Sequence, residues 1–114
     1  MKLSAIRDLL CCDVLTGEHL LDAEVDTAVA SDAMSAVLAS PHPQAVLITG
    51  LTNIQSVRTA QVAYSSAIVY VRGALPNKAT IQLASEEEIV LLTTALGMFD
   101  SCGILYRHGI KGAI

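Results

Sequence analysis

The sequence predicts a compact α/β domain with three layers, in which a mainly parallel β-sheet built from strand–helix units carries helices on both faces. The main observation is a plan that the second half of the chain repeats. Apolar, β-branched runs begin at Ala45, Ala67 and Glu88, and each leads through a polar turn into a helix-like segment. The spacing, about 21 residues, is close to the minimum for one strand, one short helix and two tight connections. Such alternation is typical of a parallel sheet with both faces covered.

The first half of the chain is predicted to add two strands and two helices. A helix over Ala5–Leu10 precedes a short strand at Asp13–Leu15. Glu24–Ala30 alternates polar and apolar residues, which indicates a half-buried strand. Ser31 is a natural cap for the next helix, with Asp32 in its first turn, where a carboxylate suits the helix dipole. This helix is predicted to stop before Pro41, the start of a rigid turn.

The second half is predicted to consist of three strand–helix units. Each strand is a short apolar run, and each helix begins near a capping residue or a proline. In chain order, Ala45–Gly50 leads to Ile54–Tyr64 behind the cap Asn53, Ala67–Val71 leads to Pro76–Ser85, and Glu88–Leu92 leads to Ala95–His108. Gly109 is positioned to end the last helix in a left-handed conformation.

The composition predicts one domain, residues 1–114, that associates with itself. Of the 114 residues, 53% are hydrophobic and only 16% are charged. That is richer in apolar residues than an ordinary small domain, which has much surface for its volume. We therefore predict a homodimer or larger assembly with an apolar interface; a monomer at micromolar concentration in light scattering would contradict this.

Several classes of function are disfavoured. No apolar stretch reaches the ~18–20 residues that span a bilayer, and Arg7 and Asp8 interrupt any signal-peptide core. A net charge of −4 with scattered Lys and Arg disfavours nucleic-acid binding. Three cysteines without CxxC spacing (Cys11, Cys12 and Cys102) predict buried free thiols rather than a metal or redox site. The prediction is a cytoplasmic protein without membrane, nucleic-acid, metal or cofactor partners.

The strongest candidate for a binding site is the turn Thr49–Asn53. It combines a strand end, a glycine turn and a helix start, whose unpaired N–H groups can hold a phosphate or carboxylate. Ligands of parallel sheets bind beyond the carboxyl ends of the strands, where the other polar residues collect. The predicted ligand-binding residues are Ser31, Asp32, Thr49, Gly50, Thr52, Asn53, Arg58, Arg72, Thr93 and Thr94. The alternative is that these residues only build tight turns and cap helices.

Evidence for catalysis is thin. The three histidines fall in loops or at a helix end, and none lies beside a candidate nucleophile. General acid–base chemistry needs groups held within hydrogen-bond reach of each other or of a substrate. Asp32 and Asp100 are the carboxylates nearest the proposed site in this scheme, and Asp100 is expected to face solvent. The sequence therefore predicts a protein that is not an enzyme, with no catalytic residues.

The chain also resembles stand-alone DRTGG-domain proteins along nearly its whole length. The segment Ala30–Ala39 resembles their "SDLLSDVMA"-like segment, although Ala36 stands where that segment tends to carry a second acidic residue. The remaining matching segments are Ile48–Gly50, Asn53, Ser56–Ala60, Val71–Gly73 before Pro76, Leu92–Thr94, Met98–Phe99 and Cys102–Tyr106. The letters that name the domain are absent, because Leu51-Thr52-Asn53 occupies the turn where that motif is expected.

The resemblance implies an α/β domain similar to the amino-terminal domain of HPr kinase/phosphorylase. Similar domains in phosphotransacetylases and in CBS-domain pyrophosphatases look regulatory, and stand-alone members occur near hydrogenase and sensor-kinase genes. Three hypotheses result. The first is a regulatory domain that senses a nucleotide or another anionic metabolite at the sheet edge. The alternative is a protein-interaction module that docks a hydrogenase-related or kinase partner and binds no small molecule. The third, which is less favoured, is a small enzyme of phosphoryl or acyl transfer, and it would need Asp32 or a histidine to converge on the site.

Overall fold

A six-stranded sheet forms the centre of the computed structural model, which describes residues 1–39 and 42–113. The order across the sheet is β1-β5-β4-β3-β2-β6, with β1 antiparallel to β5 and all other neighbours parallel. The strands are β1 (Asp13–Thr16), β2 (Thr27–Ala30), β3 (Val46–Thr49), β4 (Ala67–Tyr70), β5 (Val90–Thr93) and β6 (Lys111–Gly112). The predicted α/β fold with a mainly parallel sheet is confirmed.

Helices cover both faces of the sheet, as predicted. The helices are α1 (Leu3–Leu9), α2 (Met34–Leu38), α3 (Ile54–Val62), α4 (Lys78–Glu86) and α5 (Met98–Arg107), and a 3-10 turn lies at Glu18–Leu20. Side chains of α1 and α5 pack in one core with Val46 and Ile48 of β3. Side chains of α2, α3 and α4 pack in a second core with Leu47, which points to the opposite face. All residues of β3, β4 and β5 are buried, which explains why their sequences read as continuous apolar runs.

Two local predictions are wrong. The strand predicted over Glu24–Ala30 begins only at Thr27, because Glu24 instead forms an isolated bridge with Lys2. Helix α4 begins at Lys78 rather than at Pro76, since the side chain of Asn77 caps it by accepting from the N–H of Thr80 at 2.9 Å. Helix α2 ends at Leu38, before Pro41 as predicted, and Pro41 itself lies outside the described residues.

Strand β6 has no counterpart in the prediction. It consists of two exposed residues, so it carries no apolar pattern that would indicate a strand. Gly109 ends α5 with a φ of +104°, in the left-handed conformation that the sequence predicts, and the chain then turns back to the sheet. Lys111 pairs with Thr27 and Gly112 with Ala28, at the outer edge of β2.

The cysteines differ in their exposure. Cys11 is exposed, contrary to the expected burial, whereas Cys12 and Cys102 are half-buried beside the core that contains α1 and α5. Burial, together with the nearby charges of Cys11 and Asp13, raises the pKa of Cys12 to about 12. That thiol is therefore protonated, and weakly nucleophilic, at neutral pH. Within residues 1–39 and 42–113, no three His, Cys, Asp or Glu side chains form a group that could hold a metal ion.

The helices are also short. None of those in the described part of the chain is long and apolar enough to cross a membrane.

Candidate ligand site at the sheet edge

The carboxyl ends of four parallel strands meet at one edge of the sheet. Ala30 of β2 lies beside Ile48 of β3, and Thr49 lies in register with Tyr70 of β4, which in turn pairs with Thr93 of β5. The turns that follow these strands are therefore neighbours, and they contain most of the polar residues that the sequence singles out. This is the edge at which ligands of parallel sheets bind.

Asp32 joins the turn after β2 to the turn after β3. Its Oδ1 accepts hydrogen bonds from the hydroxyl of Thr49, at 2.9 Å, and from the amide of Gly50, at 2.7 Å. The predicted position in the first turn of α2 is wrong, because α2 begins only at Met34 with Ala33 as its N-cap. Ser31 likewise does not cap the helix; its hydroxyl accepts from the amide of Ala33 at 2.9 Å in a local turn.

Two amide groups of the Thr49–Asn53 turn, those of Gly50 and Leu51, are used within the protein. Asp32 occupies the Gly50 amide, and the amide of Leu51 donates to the Thr49 hydroxyl at 3.1 Å. The first turn of α3 differs, because its N-cap residue Asn53 makes no side-chain capping hydrogen bond. Any anion bound at this turn would therefore meet the start of α3 rather than the glycine turn itself.

Arg72 lies against Gly50 from the neighbouring turn. A Cβ atom at Gly50 would come 2.7 Å from Cζ and 2.8 Å from Nη1 of Arg72. The arginine backbone has a φ of +61°, and its amide donates to the carbonyl of Leu96 at 2.8 Å. Glycine at position 50 therefore allows the guanidinium to approach the backbone directly, and the left-handed turn after β4 directs it there.

These contacts favour the ionised form of Asp32. The Gly50 amide, and after it the Thr49 hydroxyl, lower the pKa of the Asp32 carboxyl below its usual value. Burial opposes them to a lesser extent, and the charge of Arg72 lowers the pKa slightly further. The result is a carboxylate paired within the site and an exposed guanidinium beside it. Such a fork of donors suits the oxygens of a phosphate or a carboxylate.

The Asp32→Asn variant is expected to lose on the order of 1 kcal/mol of stability at pH 7, a modest value because the side chain is exposed. A carboxylate whose pKa is lower in the folded than in the unfolded state stabilises the fold at pH values above its unfolded pKa of about 3.9. This contribution to stability disappears as the pH falls through the folded-state pKa. The difference between wild type and variant should therefore shrink below about pH 4. Urea unfolding of both proteins at pH 7 and at pH 3 measures this difference in stability.

The exposed Asp13→Asn variant is the control. An equal loss of unfolding free energy in both variants at pH 7 would contradict the role assigned to the Asp32 carboxylate.

The other predicted residues divide into buried and exposed ones. The hydroxyl of Thr93 donates to the carbonyl of Ala74 at 2.9 Å, and that of Thr94 donates to the carbonyl of Leu10 at 2.6 Å. Both residues are buried, so their hydroxyls hold the fold together. Neither caps α5, whose N-cap is Gly97. Arg58 is exposed on the second turn of α3 and Thr52 is half-buried. The structure thus brings together Asp32, Thr49, Gly50 and Arg72.

Two exposed apolar residues at this edge were not among the predicted site residues. Leu75 follows β4 and is 65% exposed, and Phe99 in the first turn of α5 is 89% exposed. An exposed aromatic ring offers a flat surface on which a base can stack. The sequence prediction placed Phe99 within the last helix, Ala95–His108, and gave it no role in the site.

The comparisons with known proteins give a structural match without a sequence match. No protein-family model matches the chain, and no curated protein matches it. A similar solved structure is that of the CBS and DRTGG domains of the regulatory region of Clostridium perfringens pyrophosphatase, complexed with the activator diadenosine tetraphosphate. The TM-score is 0.69, with 18% identity over 91% of this chain.

The fold is similar to that of a DRTGG-containing regulatory region. This agrees with the fold that the sequence resemblance to DRTGG-domain proteins implies. The match covers 45% of the pyrophosphatase chain, so the present chain spans less than half of that regulatory region. At 18% identity the likeness establishes the fold alone.

Proposed function

We propose that this chain is a non-catalytic regulatory domain that binds an anionic small molecule, a nucleotide first of all, at the carboxyl edge of the sheet. The observation that carries the proposal is the exposed guanidinium of Arg72, which lies against Gly50 between the ends of β3 and β4. Asp32 lies beside it but is already engaged by Thr49 and Gly50. The guanidinium therefore keeps donors that an incoming anion can use.

The helices that begin at this edge support an anionic ligand. The N-cap residue of α3, Asn53, makes no side-chain capping hydrogen bond, and the N-cap residue of α5, Gly97, has no side chain that could make one. Each helix start carries about half a positive charge on its unpaired amide groups. A phosphate group between Arg72 and the start of α3 would meet a charged fork and backbone donors together. Phe99, at the start of α5, offers a face to a nucleobase.

The titratable groups near this edge favour a binding role over acid–base catalysis. A general base works best when its pKa lies near the working pH, and the pKa of Asp32 is lowered away from neutrality. Of the three histidines, His108 follows α5 at the end of that helix away from the site, His19 lies in the 3-10 turn, and His42 precedes β3, at the amino end of that strand. A regulatory role agrees with the function of the similar pyrophosphatase segment, which is a regulatory region bound to a nucleotide activator.

Thermal unfolding against a panel of nucleotides and anionic metabolites, with diadenosine tetraphosphate and ATP included, tests the proposal. A ligand at one hundred times its dissociation constant adds about 2.7 kcal/mol of stability. For a domain of this size the midpoint should rise by roughly ten degrees or more. A panel that leaves the midpoint unchanged at millimolar concentrations would contradict the sensing function.

A second candidate function, a protein-interaction module, is favoured by the outer face of α5. Phe99, Cys102, Gly103 and Tyr106 form an apolar stripe at helical spacing, and Phe99 and Tyr106 are largely exposed. The occupant that we favour is a second copy of the chain, in a homodimer, because the apolar composition exceeds what a small monomer buries. Light scattering at micromolar concentration distinguishes a dimer from a monomer. A monomer would indicate that a different protein binds this apolar stripe.

A further inference from the structure

A cavity of about 400 Å³ opens between β2, α2, α5 and β6. Ile48 and Leu105 contribute its innermost apolar walls and are themselves almost fully buried. A volume of this order lies within the range of about 300–1,000 Å³ that small-molecule sites occupy. The lining includes Ser31, next to Asp32, but not Gly50 or Arg72, so the cavity adjoins the site proposed above without containing its arginine.

The cavity exists because the outer edge of β2 is only partly covered. Strand β6 pairs with Thr27 and Ala28, whereas β2 continues to Ala30. The side chains around the uncovered part are small, with Ala28 and Ala30 on β2, Ala36 on α2 and Gly112 on β6. Because none of them reaches across the gap, a space remains between the helices and the strand edge.

The charges at the cavity favour an anion. No carboxylate contributes to its lining, although the chain as a whole carries a net charge of −4. Its one cationic side chain is that of Lys111, whose Nζ lies 5.3 Å from the centre of the Tyr106 ring. The aromatic face holds the ammonium group at the rim of an apolar space. The hydroxyl of Ser31 is a further polar group in the lining.

We propose that this cavity is a second binding site, specific for a small carboxylate with an apolar body. The body would occupy the space between Ala36 and Leu105, and the carboxylate would pair with the ammonium of Lys111. Such a ligand matches both properties of the site, since the walls are apolar and the rim is cationic. The proposal does not depend on nucleotide binding at Arg72.

Titration of the ¹⁵N-labelled protein with sodium hexanoate, followed by amide chemical shifts, tests the site. Saturable shifts are expected at Ala30, Ala36, Lys111 and Gly112. The neutral analogue 1-hexanol, which lacks the charge, should bind about threefold to fivefold more weakly, as expected for the loss of a partly exposed ion pair.

Two variants with matched controls locate the ligand. Lys111→Gln should weaken hexanoate binding about threefold to fivefold, whereas Lys78→Gln, on α4, should leave it unchanged. Ala36→Leu should weaken it at least about tenfold because the larger side chain fills the cavity, whereas the exposed Ala79→Leu should not. Shifts that do not saturate, shifts that centre on Gly50 and Arg72, or unchanged affinity in both cavity variants would overturn the proposal.

Discussion

The Gly17→Ala variant is expected to lose about 2–5 kcal/mol of its free energy of unfolding. Gly17 has a φ of +93°, a left-handed conformation that costs an alanine roughly 1–2 kcal/mol. The added Cβ would also lie 2.9 Å from the Cα of Val90. Val90 belongs to β5, which is paired with β1 on one side and β4 on the other, so its backbone cannot move away. Overpacking of this kind typically adds 1–3 kcal/mol.

Gly109→Ala is the matched control for this effect. Gly109 has a similar φ of +104°, but no atom lies within 4 Å of the position that its Cβ would take. The variant should therefore lose only the conformational part, about 1–2 kcal/mol. Urea unfolding of both variants gives the difference directly. Equal losses of unfolding free energy in the two variants would show that a Cβ atom at position 17 does not clash with β5.

The Arg72→Ala variant is expected to weaken binding of the nucleotide identified in the thermal panel by about tenfold to one hundredfold. This corresponds to the loss of hydrogen bonds to a charged group, which contribute roughly 1.5–3 kcal/mol. Calorimetric titration measures the change. The folded state should persist, because the guanidinium is exposed and the backbone amide at position 72 still donates to Leu96.

Arg58→Ala and Arg72→Lys are the two controls for that experiment. Arg58 is exposed on α3 and does not belong to the group around Asp32, so its loss should change the affinity less than about twofold. Arg72→Lys keeps the charge but not the planar fork, and its affinity should fall between those of wild type and Arg72→Ala. If Arg72→Ala binds like wild type, the ligand lies elsewhere.

The central strands were predictable because their environment is simple. Strands β3, β4 and β5 are buried on both faces, so the apolar runs at Ala45, Ala67 and Glu88 locate them to within about two residues. Strand β6 was not predictable, since two exposed residues form it only because β2 offers a free edge. The formation of a short edge strand depends on the neighbouring strand with which it pairs, rather than on its own sequence pattern.

The candidate site was predictable in its location but not in its contacts. The strand-end rule places Asp32, Gly50 and Arg72 at one edge, and the structure does so. Local capping rules then assigned Asp32 to its own helix, whereas its carboxylate reaches 17 and 18 residues along the chain to Thr49 and Gly50. The hydroxyl of Thr94 likewise reaches Leu10, which is 84 residues away. Pairings at such separations follow from the topology of the sheet, which no local pattern contains.

Amide chemical-shift mapping with diadenosine tetraphosphate is the most direct test of the proposed sensing site. The ¹⁵N-labelled protein would be titrated to saturation, and the affected amides would be placed on the structure. We expect the largest shifts at Gly50, Arg72 and Gly73 and in the first turn of α3 at Ile54. Shifts confined to the outer face of α5, or no shifts at millimolar nucleotide, would contradict a nucleotide site at the carboxyl edge of the sheet.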